Sequence, residues 1–324
     1  MTKSSTPLTL RTDTSQPAGR RRVVFLFGPT GVGKTELLFH LFNTGFSVVN
    51  ADSMQVYRHL DIGSAKPSPE ILAAVPHYLV DIYDPWEQFS VGDFVRLADE
   101  ACEEIASQGK TPVLSGGTAY YFKHFLYGLS EAPASDPVIR EQVAGQLSEH
   151  GLAWCFERLS RIDPVSAARI HPSDAYRVTR ALEVYEGSGR PLSSYALPDV
   201  PRDGMRPLII GLQRDWEELK QRIELRVRQM FEQGLLEEIR GLVRMGARDS
   251  WPGMQGIGYQ EFFRAMRGGE LSIHGISSQI VRDSRLYAKR QNTFFKSFAD
   301  VRWMHPEDED GIRKLVEEYS TGWE

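Results

Sequence analysis

The 324-residue chain is 41% hydrophobic and 25% charged, ordinary globular usage that supports one large α/β domain and a smaller one. Its net charge of -5 gives no overall signature of a nucleic-acid binder. The two cysteines, Cys102 and Cys155, form no CxxC or Cys/His cluster, which excludes a disulfide framework and a cysteine zinc site, and no apolar run reaches the roughly 18 residues of a membrane helix.

The charge is unevenly spread. Residues 1–201 carry 18 basic and 23 acidic side chains, residues 202–300 carry 17 and 13, and the remainder 3 and 7. A mildly basic stretch inside an acidic chain reads either as solvated helix faces or as a local phosphate-binding face. Sparse cysteine fits a reducing compartment, so the expected location is the cytoplasm.

In chain order, residues 1–21 are rich in Ser, Thr and Pro and lack the apolar segment of a secretory signal; a disordered tail is expected. Val23–Phe27 reads as a buried parallel strand. A Gly-rich turn and a helix, Glu36–Phe42, follow it. A second strand spans Phe46–Asn50, a third Tyr78–Ile82, and a fourth Pro112–Leu114, closed by Ser115-Gly116-Gly117-Thr118. Between the last two, apolar positions at Phe94, Leu97, Ala98, Ala101 and Ile105 give a helix over Val91–Gln108. From about Tyr127 to Pro201 the pattern is helical alone, with Asp136-Pro137 and Asp163-Pro164 as helix starts. A strand returns at Leu208–Leu212, and helices are expected over Trp216–Met245 and Ser277–Phe298. The fold class is therefore α/β, a P-loop-type parallel sheet core with an inserted all-helical domain and a helical C-terminal part. The core comprises residues 22–126 and 202–324, and the insertion residues 127–201.

Gly28-Pro29-Thr30-Gly31-Val32-Gly33-Lys34-Thr35 matches GxxxxGK[ST], with the required strand before it and helix after it. Such a loop turns backbone N–H groups toward phosphate oxygens. Lys34 supplies a full cation, and the Thr35 hydroxyl suits Mg²⁺. Asp52 ends the next strand, where a carboxylate serves as a proton acceptor, a metal partner through water, or simply a helix N-cap. Asp61–Pro67 reads as an exposed loop and Gly116–Thr118 as a turn open to close backbone approach. Arg177 and Arg180 share one helix face, as do Arg222 and Arg226 on another, where the like-charge repulsion is relieved by an anion. Basic and aromatic residues alternate over Tyr287–Phe295, a pattern of RNA contact or of an amphipathic helix. Val80-Asp81 is the nearest, weak, Walker-B-like aspartate.

Together these strings resemble the tRNA dimethylallyltransferase family from about Arg22 to Trp303. They fall in the family's order: GPTxxGKT at Gly28–Thr35, D-S-x-Q-V-Y at Asp52–Tyr57, D-I-G-S-A-K-P at Asp61–Pro67, G-G-T at Gly116–Thr118, R-V-T-R-A-L-E at Arg177–Glu183, G-I-G-Y at Gly256–Tyr259 and A-K-R-Q at Ala288–Gln291. Ser64 departs from a common Thr, and Asn292–Lys296 from a T-W-F-R ending. Without the cysteine-bearing C-terminal finger of eukaryotic members, the resemblance is to the bacterial type. It implies transfer of a dimethylallyl group from dimethylallyl diphosphate to N6 of the adenosine 3′ to the anticodon (position 37) in tRNAs reading codons that begin with U. It implies Mg²⁺ as cofactor, the tRNA anticodon stem-loop as partner and a monomeric enzyme.

The resemblance also implies residue roles. Asp52 is the base. Lys34, Thr35 and Arg226 steady the leaving diphosphate, with Thr35 on the metal and Gly28–Thr35 binding the donor. Asp52, Ser53, Met54, Gln55, Thr118, Arg140, Tyr176, Arg177, Val178, Thr179, Arg180, Gly256, Ile257, Gly258 and Tyr259 contact tRNA. Three other functions remain open on residues alone: prenyl transfer to free adenine nucleotides, a small-molecule kinase or ATPase, and a non-catalytic RNA-binding switch.

Overall fold

A computed structural model describes residues 22–269 and 272–321; the expected tail over 1–21 lies outside them. The chain runs β1 (Val24–Phe27), α1 (Lys34–Leu41), β2 (Phe46–Asn50), α2 (Pro69–Ala74), β3 (His77–Tyr78), α3 (Val91–Ser107), β4 (Thr111–Gly116) and α4 (Ala119–Tyr127). A helical stretch follows: α5 (Pro137–Ile162), α6 (Pro164–Ala167) and α7 (Ala175–Ser188). The chain then returns through β5 (Leu208–Leu212), α8 (Trp216–Glu232), α9 (Leu235–Arg244), α10 (Gln260–Gly268), α11 (Ile273–Phe295), β6 (Arg302–Met304) and α12 (Glu309–Thr321).

The six strands form one parallel sheet in the order β3-β2-β4-β1-β5-β6. Every residue of β1 is buried because helices cover both faces, which is why its sequence is a continuous apolar run rather than an alternation. On one face Phe25 and Phe27 meet Phe122, Phe125 and Phe295; Phe27 and Phe295 stack with ring centroids 4.2 Å apart. On the other, Val24 and Leu26 pack with Leu37 and Leu38 of α1, Leu219 and Ile223 of α8, and Ile312 of α12. A third apolar cluster, Val143, Cys155, Leu159, Val178, Ala181 and Leu182, belongs to the helices between α4 and β5 alone. α5 is broken at Gly151, whose φ of 81° no helix accommodates.

The structure differs from the sequence reading in three places. The strand expected over Tyr78–Ile82 ends at Tyr78, because Leu79 and Asp81 adopt positive φ (64° and 56°) and turn the backbone out of the sheet. Asp81 then faces the Lys66 ammonium at 2.5 Å instead of closing a metal site at a strand end. The stretch read as helical over Trp216–Met245 is two helices, α8 and α9, divided at Gly234 with φ 101°. The edge strand β6 is an addition; it pairs with β5 through Ile210–Leu212, and its three residues are too few to register as a pattern.

Candidate active site

Ligands of doubly wound sheets collect at the carboxyl ends of the strands, and three loops meet there. Beyond β1 lies the Gly28–Thr35 loop, with Gly31 and Gly33 at φ 80° and 110°, left-handed values that favour glycine. Beyond β2 lies Asp52. Beyond β4 lies the Gly-Gly-Thr turn, sewn to β2 by Ala51 N–H donating to Ser115 O (2.7 Å) and Thr118 N–H donating to Ala51 O (3.1 Å). A Cβ on Gly116 would stand 2.2 Å from the Ala51 carbonyl oxygen, so glycine permits this approach.

The loop is held by side chains from elsewhere. Gln291 of α11 accepts from Thr30 N–H (2.9 Å) and donates to Gly117 O (2.8 Å), tying the phosphate loop to the Gly-Gly-Thr turn. The Arg222 guanidinium donates to Gly31 O (2.8 Å) and pairs with Glu36 (3.1 Å). Arg214 donates to Val32 O (2.9 Å) and is surrounded by Glu218, His305 and Glu307, an arrangement that places a guanidinium where a cation would otherwise sit among these three groups. Lys34 Nζ lies across the loop, donating to Gly28 O (2.9 Å) and Pro29 O (3.0 Å).

These loops wall a cavity of about 820 Å³, a size common to small-molecule sites. Thr30, Gly31, Gly33, Lys34, Thr35, Asp52, Ser53, Met54, Gln55, Arg226, Gly256 and Ile257 line it. Electrostatics single out Lys34 and Arg226. Burial and the Arg226 charge bring the Lys34 ammonium down to about 7, against a smaller opposite pull from Asp52. Burial likewise lowers Arg226, and Asp52 again opposes it. Two cations lacking enough negative charge and one carboxylate share the floor of the cavity, an arrangement an anionic guest would complete. Asp52 Oδ1 accepts from Met54 N–H (2.9 Å) and Gln55 N–H (3.4 Å), so the N-cap-like turn and the cavity-facing carboxylate are realised by the same residue.

Several sequence-selected residues lie elsewhere. Gly28, Pro29 and Val32 belong to the loop but are buried and do not line the cavity, and Thr118 acts one step back, accepting from Ser53 N–H (3.0 Å). Gly258 and Tyr259 are buried away from the cavity; Tyr259 is 0% exposed, its hydroxyl donating to Glu238. Val178 is also 0% exposed, inside the helical cluster, so its side chain is not offered to a partner. Arg140, Tyr176 and Arg177 are exposed on α5 and α7, with Arg177 paired to Asp174. Thr179 donates to Ala175 O, and Arg180 holds Glu183 and Pro133 O. Burial raises the Tyr120 hydroxyl on the first turn of α4, with Tyr176 and Arg180 of α7 acting on it more weakly, so α7 lies beside the start of α4.

The residues were not all found from sequence. Tyr287 lines the cavity near Asp52, and burial pushes its hydroxyl up to about 12. Tyr287 and Gln291 are four apart, one helical turn, so the A-K-R-Q string carried the signal but not the direction of its side chains. Glu238 left no sequence signal.

Relatives decide the family. The family model described as IPP transferase matches residues 55–298, and one described as isopentenyl transferase matches residues 21–82. A tRNA dimethylallyltransferase of Syntrophobacter fumaroxidans is 42% identical over 310 residues, covering 93% of this chain and 90% of its own. One from Borreliella burgdorferi is 39% identical over 296 residues, 91% and 96% of the two chains. The chain belongs to the tRNA dimethylallyltransferase family. The tRNA isopentenylpyrophosphate transferase of Bacillus halodurans has the same fold, with a TM-score of 0.65 at 35% identity over 93% of this chain and 98% of that one. A eukaryotic dimethylallyltransferase acting on tRNA shares the fold with a TM-score of 0.76 at 24% identity, over 93% of this chain and 80% of that one. Membership makes this chain a prenyltransferase enzyme. Among the described residues, no helix is long and apolar enough to cross a membrane.

Proposed function

We propose that the chain transfers a dimethylallyl group from dimethylallyl diphosphate to N6 of adenosine 37, beside the anticodon of tRNAs reading codons that begin with U, releasing diphosphate. The observation that carries this reading is the meeting of Asp52, Lys34 and Arg226 on one cavity floor, at the mouth of the phosphate loop. The exocyclic amine of adenine is a weak nucleophile, its lone pair delocalised into the ring. As the new C–N bond forms, Asp52 accepts the departing proton. The allylic carbon gains cationic character as the C–O bond to diphosphate lengthens. Lys34, Arg226 and the loop N–H groups then balance the growing negative charge on the leaving group.

Mg²⁺ fits Thr35, which lines the cavity at the end of the phosphate loop and carries a hydroxyl, a hard oxygen ligand, leaving the second Asp52 oxygen free to take the proton. There the ion would neutralise diphosphate charge. For the acceptor, the exposed Arg140, Tyr176 and Arg177, with Arg180 near Tyr120, give the helical segment 127–201 a rim of cations and aromatic rings suited to an unstacked anticodon loop. Extruding the target base costs a few kcal/mol, which these contacts offset.

Incubation with labelled dimethylallyl diphosphate and either tRNA or AMP, followed by nucleoside mass spectrometry, tests the reading. Prenylated adenosine in the tRNA is expected. Labelled AMP with unmodified tRNA, or phosphate release from ATP without prenyl transfer, would overturn it.

A further inference from the structure

Four consecutive backbone N–H groups, those of residues 61–64, converge on one carboxylate and the hydroxyl beside it. Glu238 on α9 accepts from Asp61 N–H (3.0 Å) and Ile62 N–H (2.7 Å) at Oε2, and from Gly63 N–H (3.0 Å) at Oε1. Tyr259 donates its hydroxyl proton to Glu238 Oε1 (2.7 Å) and accepts from Ser64 N–H (3.1 Å). The fit is tight enough that a Cβ on Gly63 would stand 2.5 Å from the Tyr259 ring. A run of parallel backbone donors is a built anion cradle, and here the protein fills it with its own side chain.

The consequence reaches the cavity through Gln55. Its amide nitrogen donates to Ser64 O (3.3 Å) and Ala65 O (3.1 Å), the carbonyls of the loop Glu238 holds. Two carbonyl partners fix which end of the amide is nitrogen and engage both of its hydrogens. Among the described residues, no hydrogen bond reaches Gln55 Oε1, and Gln55 lines the cavity three residues from Asp52. We infer that Glu238 is a positioning residue that locks Gln55 as an acceptor-only group, so that the site admits a nucleobase presenting an amino hydrogen and discriminates against one presenting a carbonyl. Asp52 and Gln55 then face the two hydrogens of one exocyclic amine, one to be lost and one to be held. A 6-oxo purine would set its oxygen against Gln55 Oε1 with no donor between them, and an unpaired polar group in a closed site is disfavoured more strongly than a lost contact.

This rests on the tRNA-prenylating reading, so the wild-type enzyme is first shown to prenylate tRNA; failure there defeats the function and not the lock. Binding of anticodon stem-loop RNAs carrying adenosine or inosine at the target position is then compared by fluorescence anisotropy for wild type, Glu238→Gln, Tyr259→Phe and Gln55→Leu. In Glu238→Gln an amide NH₂ must face one pair of donors, releasing the loop. Wild type should favour adenosine by about tenfold, one hydrogen-bond mismatch. Glu238→Gln and Gln55→Leu should lower the ratio at least about threefold, to the part Asp52 alone retains, and Tyr259→Phe, which keeps the carboxylate, should fall between. A ratio unchanged in Glu238→Gln or Tyr259→Phe while the melting temperature drops would reduce Glu238 to a structural strut and overturn the inference, as would no adenosine preference in the wild type.

Discussion

Lys34 shows how one residue can cost stability and supply function. Its folded value of about 7 lies well below the ordinary lysine value, because burial and Arg226 both disfavour the charge. The unfolded chain therefore binds the proton more readily between about 7 and the ordinary value of 10.5, and stability rises with pH across that window. Below pH 7 the penalty is fully present. Lys34→Met should accordingly raise the melting temperature at pH 6.5, by about 2–4 °C per kcal/mol relieved, and abolish diphosphate binding measured by calorimetry. An unchanged or lower melting temperature would mean the ammonium is well solvated. The same logic gives the wild-type enzyme a diphosphate affinity that weakens as pH rises through 7 to 9, because the anion binds the protonated lysine.

Asp52 is the companion case. Asp52→Asn keeps the acceptor for Met54 and Gln55 N–H through its amide oxygen but removes the proton acceptor. Turnover should fall by about 10²–10⁴-fold with the donor KM changed little; a loss confined to KM would reassign Asp52 to binding. The positions of both residues were legible in sequence because the phosphate-loop string and the end of a β-strand are local patterns, whereas the strand end left Asp52 open between base, metal partner and cap, and only the family resemblance made it a base. Glu238 was not, and Gln291 was legible as a member of a string but not in its contacts, since each acts across more than 170 positions of chain, on Asp61–Gly63 and on Gly117. Tyr259 was legible as a member of a string but not as a buried strut, because burial is a property of packing rather than of spacing.

At the scale of elements, strands with continuous apolar runs were legible and irregular ones were not. β1, β2 and β5 announced themselves through burial on both faces. β3 failed as a five-residue strand because its apolar pattern continues into residues whose positive φ takes them out of the sheet. The α8–α9 break was hidden by amphipathic spacing that persists across Gly234, yet that break places Glu238 beneath the Asp61–Gly63 loop. Packing of α10 on α11 carries its own titration. Glu261 on α10 is 3% exposed; burial raises its carboxyl to about 7, with the Asp283 carboxyl on α11 adding to the rise. Glu261 accepts from Gly258 N–H (2.8 Å) through Oε2, while among the described residues Oε1 and Asp283 Oδ2 find no hydrogen-bond partner, Asp283 Oδ2 lying 3.6 Å from the Arg264 guanidinium. The folded state holds a proton on Glu261 that the unfolded state releases above the ordinary 4.5, so the stability Glu261 contributes is present below 4.5 and is lost as pH rises to about 7. Glu261→Gln can accept from Gly258 and donate to Asp283 at any pH. It should leave the melting temperature unchanged at pH 5 and raise it at pH 8; equal shifts at both would argue against a shared proton.

On the proposed function, one unit of the molecule grips the donor and another reaches for the acceptor. The helical segment leaves the core after α4 and returns at Arg202, whose N–H donates to Leu126 O (2.9 Å) and whose guanidinium grips Asp99 with two bonds (2.8 and 3.0 Å). The two chain crossings are thus adjacent, and the segment buries its own apolar cluster. Replacing residues 129–200 with a short Gly-Ser linker therefore removes no strand and none of the residues lining the cavity. The shortened protein should fold cooperatively and bind dimethylallyl diphosphate within about threefold of the full chain, since a surface linker of that kind is thermodynamically mild. Its tRNA affinity should fall by at least about tenfold. The logarithmic dependence of binding on salt should also flatten, by about 0.7 for each phosphate contact to single-stranded RNA that is lost. In the full chain, Arg177→Ala should reproduce one such step without altering donor binding. If the shortened protein kept both its tRNA affinity and its salt slope, the rim formed by Arg140, Tyr176 and Arg177 would not be the acceptor surface, and recognition would have to lie wholly on the sheet core.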